Sequence, residues 1–188
     1  MSGIVKTLGG KTPQQLGMLV LRGSKRPILP NTRDRSVIVP GRNGGWDFGA
    51  DLDSRSFDLE CAFNAPTSSE LQARAELLAR LLVDANGKPR PLELVFEVHP
   101  ERTYTVRYSG SLGIDRIAGL GKFTLPLVAF DPHSVGPENV YEATITASPT
   151  LITIESTGDI RTQPVIVLTN TGIGTINEIT LTNEYQLE

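Results

Sequence analysis

Asp47-Phe48-Gly49 repeats the three letters that hold a catalytic metal in protein kinases. No catalytic-loop motif precedes it and too little chain follows for a kinase, so the segment reads as a loop entering a strand. Gly119-Leu120-Gly121-Lys122 hints at a phosphate loop, which needs GxxxxGK and then a hydroxyl, so that amides cradle phosphate and the hydroxyl holds Mg²⁺. Arg116 stands where the first glycine belongs and Phe123 where the hydroxyl belongs, so a hairpin turn is expected. Asp51 and Asp53, with Asp47 near them, lack the glycine and distal Glu of a calcium loop. Cys61 falls on the apolar side of an alternating run and reads as a small buried hydrophobe with no His to activate it. One Cys and two His, His99 and His133, exclude a disulfide framework and leave little for a metal centre or a proton relay. There is no GxSxG, HExxH or CxxC, and no marked carboxylate pair of the kind glycoside hydrolysis uses. No catalytic, cofactor-binding or metal-ligating residue is therefore assigned, and no enzyme is expected.

The feature that stands apart is basic. Arg22, Lys25, Arg26, Arg33, Arg35 and Arg42 fall within 21 residues opposed only by Asp34, with Pro27, Pro30 and Pro40 among them. Proline-rich, charged, weakly apolar chain is poorly suited to its own core. It is either a solvated loop or an extended arm that meets acidic surface on a neighbouring subunit, where the arginine fork binds carboxylates bidentately. DNA contact is a third option, opposed by the net charge of −3. Arg33, Arg35, Arg42 and Trp46 are the expected inter-subunit contacts.

The elements that must carry these residues are mostly strands. Of 188 residues, 18 are Gly and 13 Pro, a turn-rich composition favouring short strands. Phe57, Leu59, Cys61 and Phe63 alternate with Ser56, Asp58, Glu60 and Ala62, as a half-buried strand requires. Tyr104, Val106 and Tyr108 alternate likewise. Leu92, Leu94 and Phe96 precede them, with a turn expected at His99-Pro100-Glu101-Arg102. Residues 122–130 form an apolar strand in which Pro126 points to an edge or a bulge, and 16–22 and 36–39 are further candidates.

One helix is signalled over 69–84. Thr67-Ser68-Ser69-Glu70 fits a capping box, and Leu71, Ala75, Leu78 and Leu82, widened by Leu77 and Leu81, share a face. Glu70/Arg74 and Glu76/Arg80 are i,i+4 pairs, and Asn86-Gly87 before Pro89 ends the element.

Charge and composition shift along the chain. Residues 1–135 hold 17 Lys+Arg against 14 Asp+Glu; residues 136–188 hold only Arg161 against seven acids, with 11 Thr. Asp131-Pro132-His133-Ser134-Val135-Gly136-Pro137 marks a boundary. The expected domains are 1–135 and 136–188, the second short for a core of its own. It reads as strands at 140–146, 151–155, 164–169 and 175–182, with turns at Thr157-Gly158-Asp159 and Asn170-Thr171-Gly172. The last strand lacks a partner, to be supplied by another chain or by residues beyond 188. No apolar run reaches the length of a membrane span, and the first residues show no signal peptide. The expected class is mainly β (α+β): an antiparallel β-sandwich or split-barrel-like N-terminal domain with one packed helix, then a partial or reduced β-rich C-terminal domain.

Four segments in order then resemble one family. Val39-Pro40-Gly41-Arg42-Asn43-Gly44-Gly45-Trp46-Asp47-Phe48-Gly49 resembles the PGR-x-G-x-x-DFG stretch of phage distal tail proteins, the Dit family of long, non-contractile-tailed phages. Arg55–Phe63 is similar to the strand that follows it. Glu101–Gly110 is similar to the family's Y-x-x-R-x-x-G strand, and Gly121–Leu127 through Phe130-Asp131-Pro132 to its G-x-F-T-L…DP close. The resemblance spans about residues 27–132. It implies a virion protein made in the bacterial host cytoplasm, whose N-terminal domain joins six copies into a ring at the tail tip. One face of the ring would meet the tail tube and the other the tail-associated hub, with receptor-binding proteins outside. DNA would pass through the lumen without specific binding, and no cofactor or membrane is involved. The galectin-like sandwich of many members needs more chain than 136–188 offers. A closed ring uses heterologous contacts, and residues 22–45 with the strand edges are expected to form the seam. The alternatives are a tail-tube or tail-terminator subunit and a carbohydrate-binding module in 136–188, the latter opposed by the lack of Trp there.

Overall fold

The computed structural model describes residues 4–117, 119–155, 158–160 and 162–184. The chain divides into two compact units, Met1–Val140 and Tyr141–Glu188.

The first unit is built on β5 (Arg55–Asn64) and β9 (Leu120–Ala129), two ten-residue strands paired antiparallel without interruption from Arg55↔Ala129 to Asn64↔Leu120. Their alternation places Phe57, Leu59, Cys61 and Phe63 of β5 and Phe123, Leu125, Leu127 and Ala129 of β9 on the buried side. Outside β5 lies the short β2 (Met18–Val20). On the other side of β9 lie β8 (Asp115–Ile117) and the end of β7 (His99–Tyr108). β7 turns the corner of the sheet: Thr103–Val106 pair with β6 (Leu92–Phe96), whereas Arg107 and Tyr108 pair with β9. β1 (Val5–Leu8) closes the far edge against β6. The order β1-β6-β7-β9-β5-β2, with β8 beside β9, makes a strongly bent, barrel-like antiparallel sheet with one helix, the expected class.

Helix α1 (Ser68–Leu82) packs against β5 and β9. The Thr67 hydroxyl accepts from the Glu70 N–H at 3.2 Å. The Glu70 carboxylate pairs with Arg74 at 2.5 Å, so the Thr67 half of the box forms and the acid serves the i,i+4 pair. Leu71, Leu78, Leu81 and Leu82 are buried while Leu77 stays outside. Burial of each such leucine stabilises by about 1.5–3 kcal/mol. Beyond the helix, the Asp84 carboxylate accepts from the Asn86 and Lys88 amides, and Arg90 Nε donates to Leu81 O, satisfying a terminal carbonyl.

Several expectations shift. The β6–β7 turn lies at Glu97-Val98, because Phe96 pairs with His99, and His99–Arg102 belong to β7. The candidate at 36–39 is a six-residue strand, β3 (Thr32–Val37), and Asp47-Phe48-Gly49 lies within β4 (Trp46–Leu52) rather than before a strand. Pro126 sits in an interior strand. The Asp58 N–H and carbonyl bond Lys25, so Asp58 and its partner Pro126 form a non-hydrogen-bonded pair and Pro126 turns its backbone away from β5. On that side β8 stops pairing at Lys122 and β7 starts at Leu127, and no neighbouring strand pairs with the missing N–H.

In the second unit no described residue lies in a helix or strand, so the strands expected at 140–146, 151–155, 164–169 and 175–182 do not form. Leu151, Val165 and Val167 are exposed, and a strand satisfies its backbone only against a partner. The Asn170 turn does form, its side chain accepting from the Gly172 N–H at 3.0 Å. Thr157 of the other expected turn lies outside the described residues.

Among the described glycines Gly119 has the least room: its carbonyl accepts from the Ala65 N–H at 2.9 Å, and a Cβ on it would stand 2.0 Å from the Ala65 oxygen. Gly119→Ala is expected to destabilise the first unit by about 2–4 kcal/mol through that clash and the lost bond. Thr67→Ala is expected to cost about 1 kcal/mol. Urea titration followed by circular dichroism reads both.

Candidate functional site

β3 and β4 form a two-stranded sheet of their own, outside the seven-stranded sheet. Every residue of β3 is exposed, and all of β4 except the half-buried Asp51. This is an arm, and the sequence builds it locally. Val37 pairs with Trp46 and Ser36 with Asp47, then Asp34 pairs with Ala50, so β4 carries one residue more than β3 across this stretch. The Asp47 carboxylate accepts from the Gly49 N–H at 2.8 Å, and Gly49 has φ +89°, a conformation that glycine adopts without strain. The Asp-Phe-Gly triplet is therefore a β-bulge.

That bulge decides which side chains share a face. Directly opposed residues lie on one side, and β3 alternates regularly, so Arg33, Arg35, Val37, Trp46 and Asp51 fall together. Arg42, in the connecting loop, stacks its guanidinium 4.3 Å from the Trp46 ring centre. All four residues expected from the sequence as inter-subunit contacts, Arg33, Arg35, Arg42 and Trp46, are thus gathered on one exposed arm. Arg35 Nε donates to Asp51 at 2.9 Å. That hydrogen bond, with the charges of Arg35 and Arg33, holds the Asp51 carboxyl below its ordinary range, and Asp51 in turn raises Arg35. One acid tethers one arginine, while Arg33 and Arg42 keep their charge toward solvent beside a half-exposed Trp46 and the 65% exposed Phe48. Sequence reasoning missed Phe48 and the apolar tip Val37-Ile38-Val39, whose exposure is a signal visible only once the arm is seen apart from the core.

The groups weighed for catalysis are accounted for locally. Asp53 accepts from the Ser54 N–H and Asp131 from the His133 N–H. Among the described residues no three His, Cys, Asp or Glu gather as a metal site. Two shallow depressions are lined by Ala79, Arg80, Val83, Asp84 and Ala85 and by Lys25, Arg26, Pro27, Ser56 and Asp58. No helix is long and apolar enough to cross a membrane among the described residues.

A bent antiparallel barrel with one helix and an exposed cationic-aromatic arm defines a domain built around a protruding surface. The phage tail protein RIFT-related domain family matches residues 11–129, well over half of the sequence, and the chain belongs to that family. It is a phage tail structural protein. Its fold is similar to that of the Dit protein (gp 19.1) of phage SPP1, whose structure was described as a paradigm of the hub adsorption apparatus in phages infecting Gram-positive bacteria. The two share 23% identity at a TM-score of 0.59, over 71% of this chain and 52% of that one, so this chain corresponds to about half of the SPP1 protein. No curated protein matches.

Cys61 is fully buried, and burial pushes its thiol up to about 12. Folded protein is expected to resist a disulfide reagent at pH 8 and to react fully once unfolded. Because the unfolded thiol ionises near 9 and the folded one does not, this group's contribution to stability is intact below pH 9. It falls above pH 9 by up to about 1.4 kcal/mol per pH unit. The difference between wild type and Cys61→Ala in urea titrations at pH 8 and pH 10 isolates that slope.

Proposed function

We propose that this chain is a ring-forming adaptor of the distal tail tip of a long-tailed phage or prophage. In this reading its first 135 residues assemble, six copies to a ring, between the tail tube and the tail-associated hub, and receptor-binding proteins attach outside. DNA crosses the lumen without base-specific contacts. Residues 136–188 follow as a separate second part of the chain. Membership of the phage tail family and the SPP1 Dit-like fold support the class.

The observation that carries the assembly is the arm. A domain working alone has no physical use for a hairpin exposed on both faces that displays arginine, tryptophan and valine together. Trp and Arg are the residues most enriched where protein interfaces concentrate their energy. In a ring each arm would lie against a different surface of the next subunit, which the heterologous geometry of cyclic assembly requires.

Wild-type protein is expected to run as a closed oligomer in size-exclusion chromatography with light scattering, and to appear as discrete rings by negative-stain microscopy. Arg33→Glu combined with Arg42→Glu is expected to raise the concentration for half-assembly at least tenfold while leaving the thermal melt of the domain in place. Wild-type chain that stays monomeric at every concentration, or a double variant that assembles unchanged, overturns the placement of the seam.

A further inference from the structure

The arm is bound to the body of the domain chiefly at its root, and one side chain occupies that root. Arg55, the first residue of β5, follows directly on the arm's returning strand. Its Nη2 donates to the carbonyl of Pro27 at 2.7 Å and to that of Ile28, both on the segment that enters the arm. Its Nη1 donates to the Tyr104 hydroxyl of β7 at 3.0 Å and to the Pro132 carbonyl at 3.3 Å. The guanidinium also lies 5.2 Å from the Tyr104 ring centre and 5.8 Å from that of Phe57. Four hydrogen bonds from one planar fork therefore join the entering segment, the core sheet and the segment by which the chain leaves that sheet.

We infer that Arg55 is the positioning residue that sets the direction in which the β3–β4 arm leaves the domain. The acceptors are neutral carbonyls and a hydroxyl, no carboxylate pairs with it among the described residues, and its buried Nε has no acceptor. An aliphatic side chain would fill this place without that desolvation. What the guanidinium adds is direction, because its donors are fixed in one plane, whereas a lysine ammonium swings on a flexible stem. The neighbouring contacts restrain the entering chain without orienting the arm. Lys25 bridges Asp58, Arg26 lies 4.5 Å from the Phe96 ring centre, and the Asp53 N–H closes the hairpin base on the Asn31 carbonyl at 2.8 Å. The Pro132 bond places the exit segment, itself tied by Val135 to Thr103, on the same fork, so arm and exit segment share one anchor. The consequence for assembly rests on the adaptor reading: an arm that must find a neighbour at a fixed angle loses affinity when that angle is free.

The test uses the full chain with spin labels at Asn43→Cys on the arm loop and Ala73→Cys on the exposed side of the helix. Labelled chain is diluted in unlabelled chain so that only distances within one molecule are read, and buried Cys61 stays unlabelled. Arg55→Met and Arg55→Lys are each expected to broaden the pulsed electron-electron distance distribution at least twofold while the cooperative melt is retained. A width unchanged from wild type in Arg55→Met overturns the inference. Should that variant lose its cooperative melt, Arg55→Lys is judged by the same criterion. Wild-type chain that forms no ring would defeat the adaptor reading and leave this measurement standing.

Discussion

The uninterrupted register between β5 and β9 is the constraint from which the rest of the domain follows. Ten consecutive pairs put eight alternating side chains on one side, and the helix has a continuous apolar surface to cover. A slip of one residue would turn Phe57, Leu59 and Phe63 to solvent and bury Asp58 and Glu60, so the pairing is strongly specified. The same register places Arg55 at the end of the ladder, where the chain has just returned from the arm. Core and arm thereby meet at the start of β5, against which the entering segment also rests through Lys25.

That junction explains how a domain of modest size can carry a large exposed hairpin. The arm satisfies its own backbone through cross-strand bonds and, at the bulge, the Asp47 carboxylate; the Arg35–Asp51 pair adds a side-chain tie, and the arm draws little from the core. A free hairpin is marginally stable in water, and its direction is a matter of the root. Arg55, Lys25 and Arg26 tie the root to β5, β6 and β7, and these arginines and lysine belong to the body although they stand beside the arm's own arginines in the chain. The basic run read from the sequence as one feature is two: an anchored half at 22–28 and a half at 32–42 that the arm presents.

How much was legible beforehand depended on how local the cause was. The Thr67 half of the helix cap, the alternation in β5 and β9 and the turn at Asn170 follow from neighbours within a few residues and take their expected forms, whereas the Glu70 half of the capping box gives way to the pair with Arg74. The short β1 and β8 left no periodic trace, because three or four residues are too few to alternate. Asp-Phe-Gly read as a loop because a bulge interrupts the period of two. Pro126 read as an edge signal, and it is one, but of a local gap between two partner strands inside the sheet.

By itself the sequence determined the class of the domain, its helix, its two principal strands, the absence of a recognisable catalytic motif and the concentration of arginine near the first third of the chain. Each of these depends on residue type and short spacing, which chemistry reads directly. Only the tertiary structure decided that Arg33, Arg35, Arg42 and Trp46 share one arm, that the arm stands clear of the core, and that Arg55 holds its root to Tyr104 and Pro132. Those relations join residues up to 77 positions apart. Side-chain periodicity carries no information about which distant strand supplies the partner, because any apolar face can pair with several others until packing selects one.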